Sequence, residues 1–213
     1  MGSPEFTPEL KRIGWAGLMS LPRVMQVAGD GSVLMEPASE LETLRGRHMA
    51  VSAFPLQAEI KESRVGNASS QILLDGVQGD GLEILARFQP KTARRFGILV
   101  RAAPDFTEAT RIEVDVERKK LIFDNTHSSL ETQVHRRVRE VDFTPARQGM
   151  VSLRIFVDRS VIEVFADQNR ACITGRAYPQ RQDSLQVGVC CTGGSVLCEG
   201  IDVWKRRPIK CDD

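Results

Sequence analysis

Aromatic residues with polar tips are scarce in this 213-residue chain, which has two tryptophans, Trp15 and Trp204, and one tyrosine, Tyr178. Such rings supply much of the contact energy at recognition surfaces, so their scarcity argues against an obvious platform for stacking sugars. Charge of one sign is also lacking. Twenty-nine lysines and arginines against 28 acidic residues leave a net charge of +1, which offers no field to draw in nucleic acid or an anionic membrane. No apolar run approaches the roughly 20 residues that a membrane-spanning helix needs, and the first residues lack the basic-then-apolar order of a signal peptide. The compartment is left open. Histidine is limited to His48, His127 and His135, and the five cysteines, Cys172, Cys190, Cys191, Cys198 and Cys211, form no C-x-x-C pair. No zinc site or other cofactor is therefore expected. The odd cysteine count leaves at least one thiol unpaired. Buried free thiols acting as small apolar groups and a disulfide from Cys172 or Cys190 to Cys198 both fit the spacing. Cys190 and Cys191 are adjacent, so on a strand they point to opposite faces. Also absent are a G-x-S-x-G elbow, a P-loop, H-E-x-x-H and a Gly-rich dinucleotide turn.

What is present is a succession of short alternating runs separated by turn residues. Residues 24–27 and 33–35 flank Gly29-Asp30-Gly31 and predict a hairpin. Ser39 to Leu44 is the one short helical candidate, with Ser39 as N-cap, Glu42 completing a capping box and Gly46 marking its end. Strands are expected at 70–74, 82–88, 96–101, 110–116, 120–123, 132–138, 185–191 and 196–204. Strands spaced about ten residues apart, with no long helical period, indicate an all-β fold: an antiparallel two-sheet β-sandwich of jelly-roll or lectin-like kind. Composition suits it, with 41% apolar and 27% charged residues.

The most informative stretch is SLRIFVDRSVIEVFADQNRACITGRAYP, residues 152–179. Residues 153–157 and 161–165 flank Asp158-Arg159-Ser160 and read as a hairpin with a tight polar turn; a third strand, 171–178, follows. The order VDRS-x-x-EVF, a turn, then R-x-YP resembles the C-terminal β-sandwich of glycoside hydrolase family 32, which includes invertases, inulinases and levanases. The residues carrying this likeness are Asp158, Arg159, Ser160, Glu163, Phe165, Arg176, Tyr178 and Pro179. An upstream set, Trp15-Ala16-Gly17, then Ser20 to Arg23 with Pro22, then Glu40 to Arg45, resembles the family's W-x-G, (S/T)-x-PR and EL-x-x-LR series. In that family the upstream series marks the last strand of a catalytic five-bladed propeller and the crossing into the sandwich.

The resemblance implies a domain plan. Residues 1–6 look like a cloning remnant, 7–23 a remnant of the last propeller strand and linker, and 24–213 the sandwich. It also implies the catalytic propeller of the same parent as partner, with sucrose or fructan and a homodimer contact as further candidates. The family's catalytic segments, N-D-P, R-D-P and E-C, do not occur here; Cys198-Glu199 has the reverse order. Retaining glycosidases need two carboxyl groups about 5 Å apart, and within the motif only Asp158 and Glu163 are near neighbours. Asp158 is expected to accept hydrogen bonds from amides of its turn, and Glu163 to face away from the side of Ile162 and Val164. The expectation is a non-catalytic module whose parent hydrolyses β-fructofuranosyl bonds. The alternatives are a free-standing fructan-binding module and a homodimerisation domain.

Other features are expected to be structural. His127-Ser128-Ser129 reads as a solvated loop, Arg118 to Lys120 as an exposed turn, and Arg136-Arg137 as a solvated strand face. Trp204 and Tyr178 read as packing residues. Asn67-Ala68-Ser69 is a glycosylation sequon.

Overall fold

The computed structural model describes residues 18–29, 31–58, 69–145, 149–167 and 170–208. Trp15, Gly17, Asn67 and Cys211 lie outside them. Among the described residues, alternation of apolar and polar side chains builds fifteen strands: β1 (Arg23–Val27), β2 (Val33–Pro37), β3 (Arg45–Val51), β4 (Phe54–Ala58), β5 (Ser69–Gln78), β6 (Gly81–Pro90), β7 (Arg95–Ala102), β8 (Thr110–Asp115), β9 (Lys120–Asp124), β10 (Val138–Asp142), β11 (Val151–Asp158), β12 (Val161–Ala166), β13 (Ala171–Arg176), β14 (Gln186–Thr192) and β15 (Gly194–Arg206).

Six strands pair in the order β10-β9-β8-β7-β14-β5, and seven form the larger sheet, β13-β12-β11-β6-β15-β3 with β4 also on β15. The pairings are antiparallel. β1 and β2 form a sheet of their own, with Gly31 supplying a φ of 82° in the turn between them. The inner faces of the two large sheets bury one continuous core that includes Ile84, Phe88, Phe96, Ile98, Phe123, Ile155 and Val164. Each such side chain contributes about 1.5–3 kcal/mol on burial. At one side of the sandwich Phe123 of β9 packs against Gly175 of the edge strand β13, where an added Cβ would lie 2.2 Å from the ring. Only glycine lets these two strands approach that closely.

Several expectations change. Residues 39–44 form a short 3-10 turn capped by Ala38, with no side-chain cap bond. Ser39 Oγ meets the neighbouring Glu40 carboxylate at 3.3 Å instead, so the capping box does not form, and β3 starts at Arg45 with no break at Gly46. Residues 132–137 are irregular and the strand expected there lies later, at β10. That segment's polar residues satisfy turn and loop bonds, whereas Val141 in β10 packs on the core. Strands β3 and β4 were not anticipated. Ser128 and Ser129 are 2% and 3% exposed, not solvated: Ser128 Oγ donates to the Asn125 carbonyl at 2.9 Å, and Ser129 Oγ accepts from the Glu131 amide at 3.1 Å. Cys172, Cys190, Cys191 and Cys198 are free thiols, so no disulfide joins Cys198 to Cys172 or Cys190. Cys191 lies in the inter-sheet core, and Cys190 is buried in a smaller cluster with Leu99, Ala102 and Ala109.

Candidate functional site: the outer face of the seven-stranded sheet

Strand register places one row of side chains across the outer face of the larger sheet. From edge to edge it reads Thr174, Glu163, Phe156, Glu83, Trp204 and His48, each directly opposite the next. Carboxylates and rings alternate along this row, and arginines lie over it. The Arg154 and Arg206 guanidinium carbons sit 5.2 and 5.1 Å from the Phe156 ring centre, and that of Arg45 sits 4.2 Å from Trp204. A desolvated cation over an aromatic face is favourable, and the same cations neutralise the acids.

Glu83 is fully buried. Arg45 grips it with two bonds, of 3.0 and 2.7 Å, and Arg154 Nε adds a third of 2.8 Å. Burial opposes ionisation of Glu83, but the hydrogen bond from Arg45 and the charge of Arg154 outweigh it and hold the carboxyl below its ordinary range. Arg45 is correspondingly raised by its bond to Glu83. Arg154 also reaches Glu42 at 3.3 Å, so the Glu40-to-Arg45 segment is tied to the sheet by charge.

Glu163 is 2% exposed, and both of its oxygens are occupied. Oε1 accepts the Leu21 amide at 2.6 Å, and Oε2 is ion-paired with Arg23. The Arg23 guanidinium also donates to Thr174 Oγ1 at 2.7 Å and to Cys172 Sγ at 3.5 Å, and lies 5.2 Å from the Phe165 ring. Phe165 meets Phe156 edge-on at 6.0 Å. The upstream Pro22-Arg23 pair and the downstream Glu163-Val164-Phe165 triplet, distant in sequence, are thus one contact. The Pro22 carbonyl accepts a further bond from the Ala38 amide at 2.9 Å. The Leu21 amide, at the margin of the expected propeller remnant, is satisfied. The neighbouring side chains are not covered: Met19 is 93%, Met25 70% and Val27 75% exposed.

The remaining motif residues are spread out. Asp158 is exposed at the end of β11 and accepts no hydrogen bond from the following amides among the described residues. The turn is held by other groups: Arg159 takes a φ of 52°, its amide donates to the Asp80 carbonyl at 2.6 Å, and the Ser160 carbonyl accepts from Ala177 at 2.9 Å. Asp158 shares a shallow depression with Met19, Phe156, Glu163 and Arg206. Arg176 and Tyr178 lie at the far edge, where Arg176 Nη1 donates to Tyr178 Oη at 3.3 Å. Tyr178 is exposed rather than packed, and Pro179 is half-buried. Trp204 covers the sheet beneath Arg45, stacked on His48 at 4.9 Å, and His48 pairs with Asp202 at 3.0 Å. No group of three or more metal-binding side chains clusters among the described residues.

Sequence reasoning missed Glu83, Arg154 and Phe156 as site residues, and named Arg45 only as the end of the EL-x-x-LR series. A signal existed for Glu83, a carboxylate lodged between Leu82 and Ile84 in the run Leu82 to Ala86. The fold and the face together define a class: a two-sheet sandwich with a charged, aromatic outer face that holds a short hairpin from the preceding chain.

The profile described as "Glycosyl hydrolases family 32 C terminal" matches residues 40–205, and the chain belongs to that family. It is 31% identical to a rice protein, "Beta-fructofuranosidase, insoluble isoenzyme 5", over 90% of this chain and 41% of that one. It is 25% identical to "Extracellular exo-inulinase" of Aspergillus awamori, over 96% of this chain and 37% of that one. Among solved structures, fructan 1-exohydrolase IIa from Cichorium intybus superposes with a TM-score of 0.77 at 20% identity, covering 95% of this chain and 43% of that one. This chain thus spans about two-fifths of the length of the relatives it matches.

Proposed function

We propose that the chain is the non-catalytic C-terminal sandwich of a glycoside hydrolase acting on β-fructofuranosyl bonds, and that it supports a catalytic domain preceding it. The observation that carries this reading is the hairpin β1–β2. Arg23 and the Leu21 amide fasten it to Glu163, while Met19, Met25 and Val27 on the same segment stay uncovered. An anchored segment with bare apolar side chains suits a joint whose other half is another domain. The names of the rice and Aspergillus relatives supply the substrate class. Within the motif, an acid or nucleophile would need a carboxylate free to act, and both Glu163 oxygens are occupied by the hairpin. Asp158 is exposed at the end of β11.

Release of fructose from sucrose, inulin and levan by the purified chain is expected to stay at the blank level. Reproducible turnover that disappears in Asp158→Asn or Glu163→Gln would overturn the assignment.

A further inference from the structure

The R-x-YP motif is not used by the hairpin joint. Its arginine, Arg176, ends β13 where that strand approaches β10 of the other sheet. One buried side chain, Asn125, holds the two together. Its Nδ2 donates to the Arg176 carbonyl at 2.8 Å and more weakly to the His135 carbonyl at 3.3 Å. Its Oδ1 accepts the Arg137 amide at 2.7 Å. The backbones of Arg137 and Arg176 therefore flank a single amide group. Arg139, two residues beyond Arg137, falls on the same side of the extended chain. Its guanidinium carbon lies 5.7 Å from the Phe123 ring centre, and its Nη1 is buried without a hydrogen-bond partner.

Arg137, Arg139 and Arg176 thus share one edge of the sandwich, near enough for the first and last to act on the charge of Arg139, and none of them is ion-paired to a carboxylate among the described residues. The acids of β10 are taken elsewhere: Glu140 holds Arg118 at 2.6 and 2.8 Å, and Asp142 holds Lys120 at 2.6 Å. Asp124 caps its own turn through Thr126. Burial, then the like charges of Arg137 and Arg176, work against the charge on Arg139. Arg139 and Arg176 are half-buried and Arg137 is exposed; a partly buried cation without a counter-charge is costly, and an anion placed beside it removes that cost. Tyr178 Oη, accepting from Arg176, keeps its own proton to donate.

We propose that this edge is an oxyanion site that takes a phosphate group, as inorganic phosphate or a phosphate monoester, between Arg137, Arg139 and Arg176 with Tyr178 as a hydroxyl donor. Planar guanidinium forks match phosphate oxygens in pairs, and a dianion balances more of this positive charge than a carboxylate does. The site is separate from the Glu163 joint and does not depend on the hydrolase reading.

The test is calorimetric titration of the chain with inorganic phosphate at low ionic strength, with acetate as a parallel arm. Saturable one-site binding in the range of about 1 mM or tighter is expected at pH near 7.5. It should weaken near pH 5.5, where the monoanion of inorganic phosphate dominates and the second charge is lost. Arg176→Gln and Arg139→Gln should each lower affinity by about tenfold or more, as loss of a charge-assisted fork implies; Arg111→Gln, which removes a cation away from this edge, should not. Folding of each variant is checked by its thermal transition. Should Arg139→Gln fail to fold, Arg176→Lys, which keeps the charge and loses the fork, is expected to bind with intermediate strength. Absence of saturation, binding unchanged in the folded glutamine variants, or acetate binding as tightly as phosphate would each overturn the assignment.

Discussion

Glu83 shows how much one side chain can depend on its surroundings. It lies between Leu82 and Ile84 in β6, and it is tolerated because Arg45 and Arg154 surround it with hydrogen bonds. Removing one member of a buried ion group leaves the others uncompensated, at a cost of about 3–5 kcal/mol. Glu83→Ala is therefore expected to lower unfolding free energy by about that amount, read from the midpoint of a guanidinium titration. Glu83→Gln, which keeps acceptor capacity without the charge, should cost less. A loss below about 1 kcal/mol for the alanine variant would mean that the two arginines find solvent instead. Glu108 is a second fully buried carboxylate, satisfied by the amides of Leu130, Gln180 and Arg181 and the hydroxyl of Ser184, so one residue ties three loops together.

At the scale of elements, the hairpin β1–β2 belongs to neither large sheet, and its attachment rests heavily on Glu163. Charge-assisted hydrogen bonds contribute about 1.5–3 kcal/mol each, enough to change local opening by about 10- to 100-fold. Glu163→Ala should thus speed amide hydrogen exchange in residues 18–37, the Leu21 amide most of all. Amides of β6, β11 and β15 should keep their protection, because their bonds lie within the sheet. Uniform acceleration across the whole chain would show instead that Glu163 supports the sandwich itself. The tight β11–β12 turn operates at the same scale. A two-residue loop needs positive φ, and Arg159 adopts it at 52°, a conformation more usual for glycine or asparagine.

For the molecule as a whole, the carboxyls decide how stability varies with pH. Against the opposing effect of burial, hydrogen bonds and nearby cations hold Glu83, Glu108 and Asp115 below their ordinary values. Asp105 is brought down to about 2 by bonds from Thr107 and Arg181. Acids with depressed folded values take up protons at higher pH in the unfolded chain, so stability rises with pH through that window. It is fully present above the ordinary carboxylate range and is lost as pH falls toward about 2. Glu113 acts in the opposite direction, because burial raises its folded value and ionisation above the ordinary carboxylate range costs stability. Denaturant unfolding measured from about pH 2 to 7 should show stability climbing across the acid range. Glu108→Gln should flatten that climb, whereas Glu113→Gln should improve the neutral-pH value. A flat profile in the unmodified chain would contradict this account.

Much of the architecture was legible in the sequence because it is local. Period-two alternation placed most of the strands, Gly29 and Gly31 marked the first hairpin, and the VDRS-x-x-EVF segment, which lies within the matched residues 40–205, carried the family likeness that the match bears out. Strands β3 and β4 escaped notice because their residues are more polar and less regular, and what makes them strands is pairing with β15. The 3-10 turn at 39–44 replaced the expected capped helix because Arg45 leaves at once to join the sheet and bind Glu83. By itself the sequence determined an antiparallel all-β chain with a likeness to its family, since alternation and turn chemistry are written in neighbouring residues. Only the tertiary structure decided that Arg23 pairs with Glu163, that Glu83 lies between two arginines, and that Arg137, Arg139 and Arg176 share an edge. Those contacts depend on cross-strand register and on which sheet edges meet, which no local pattern encodes.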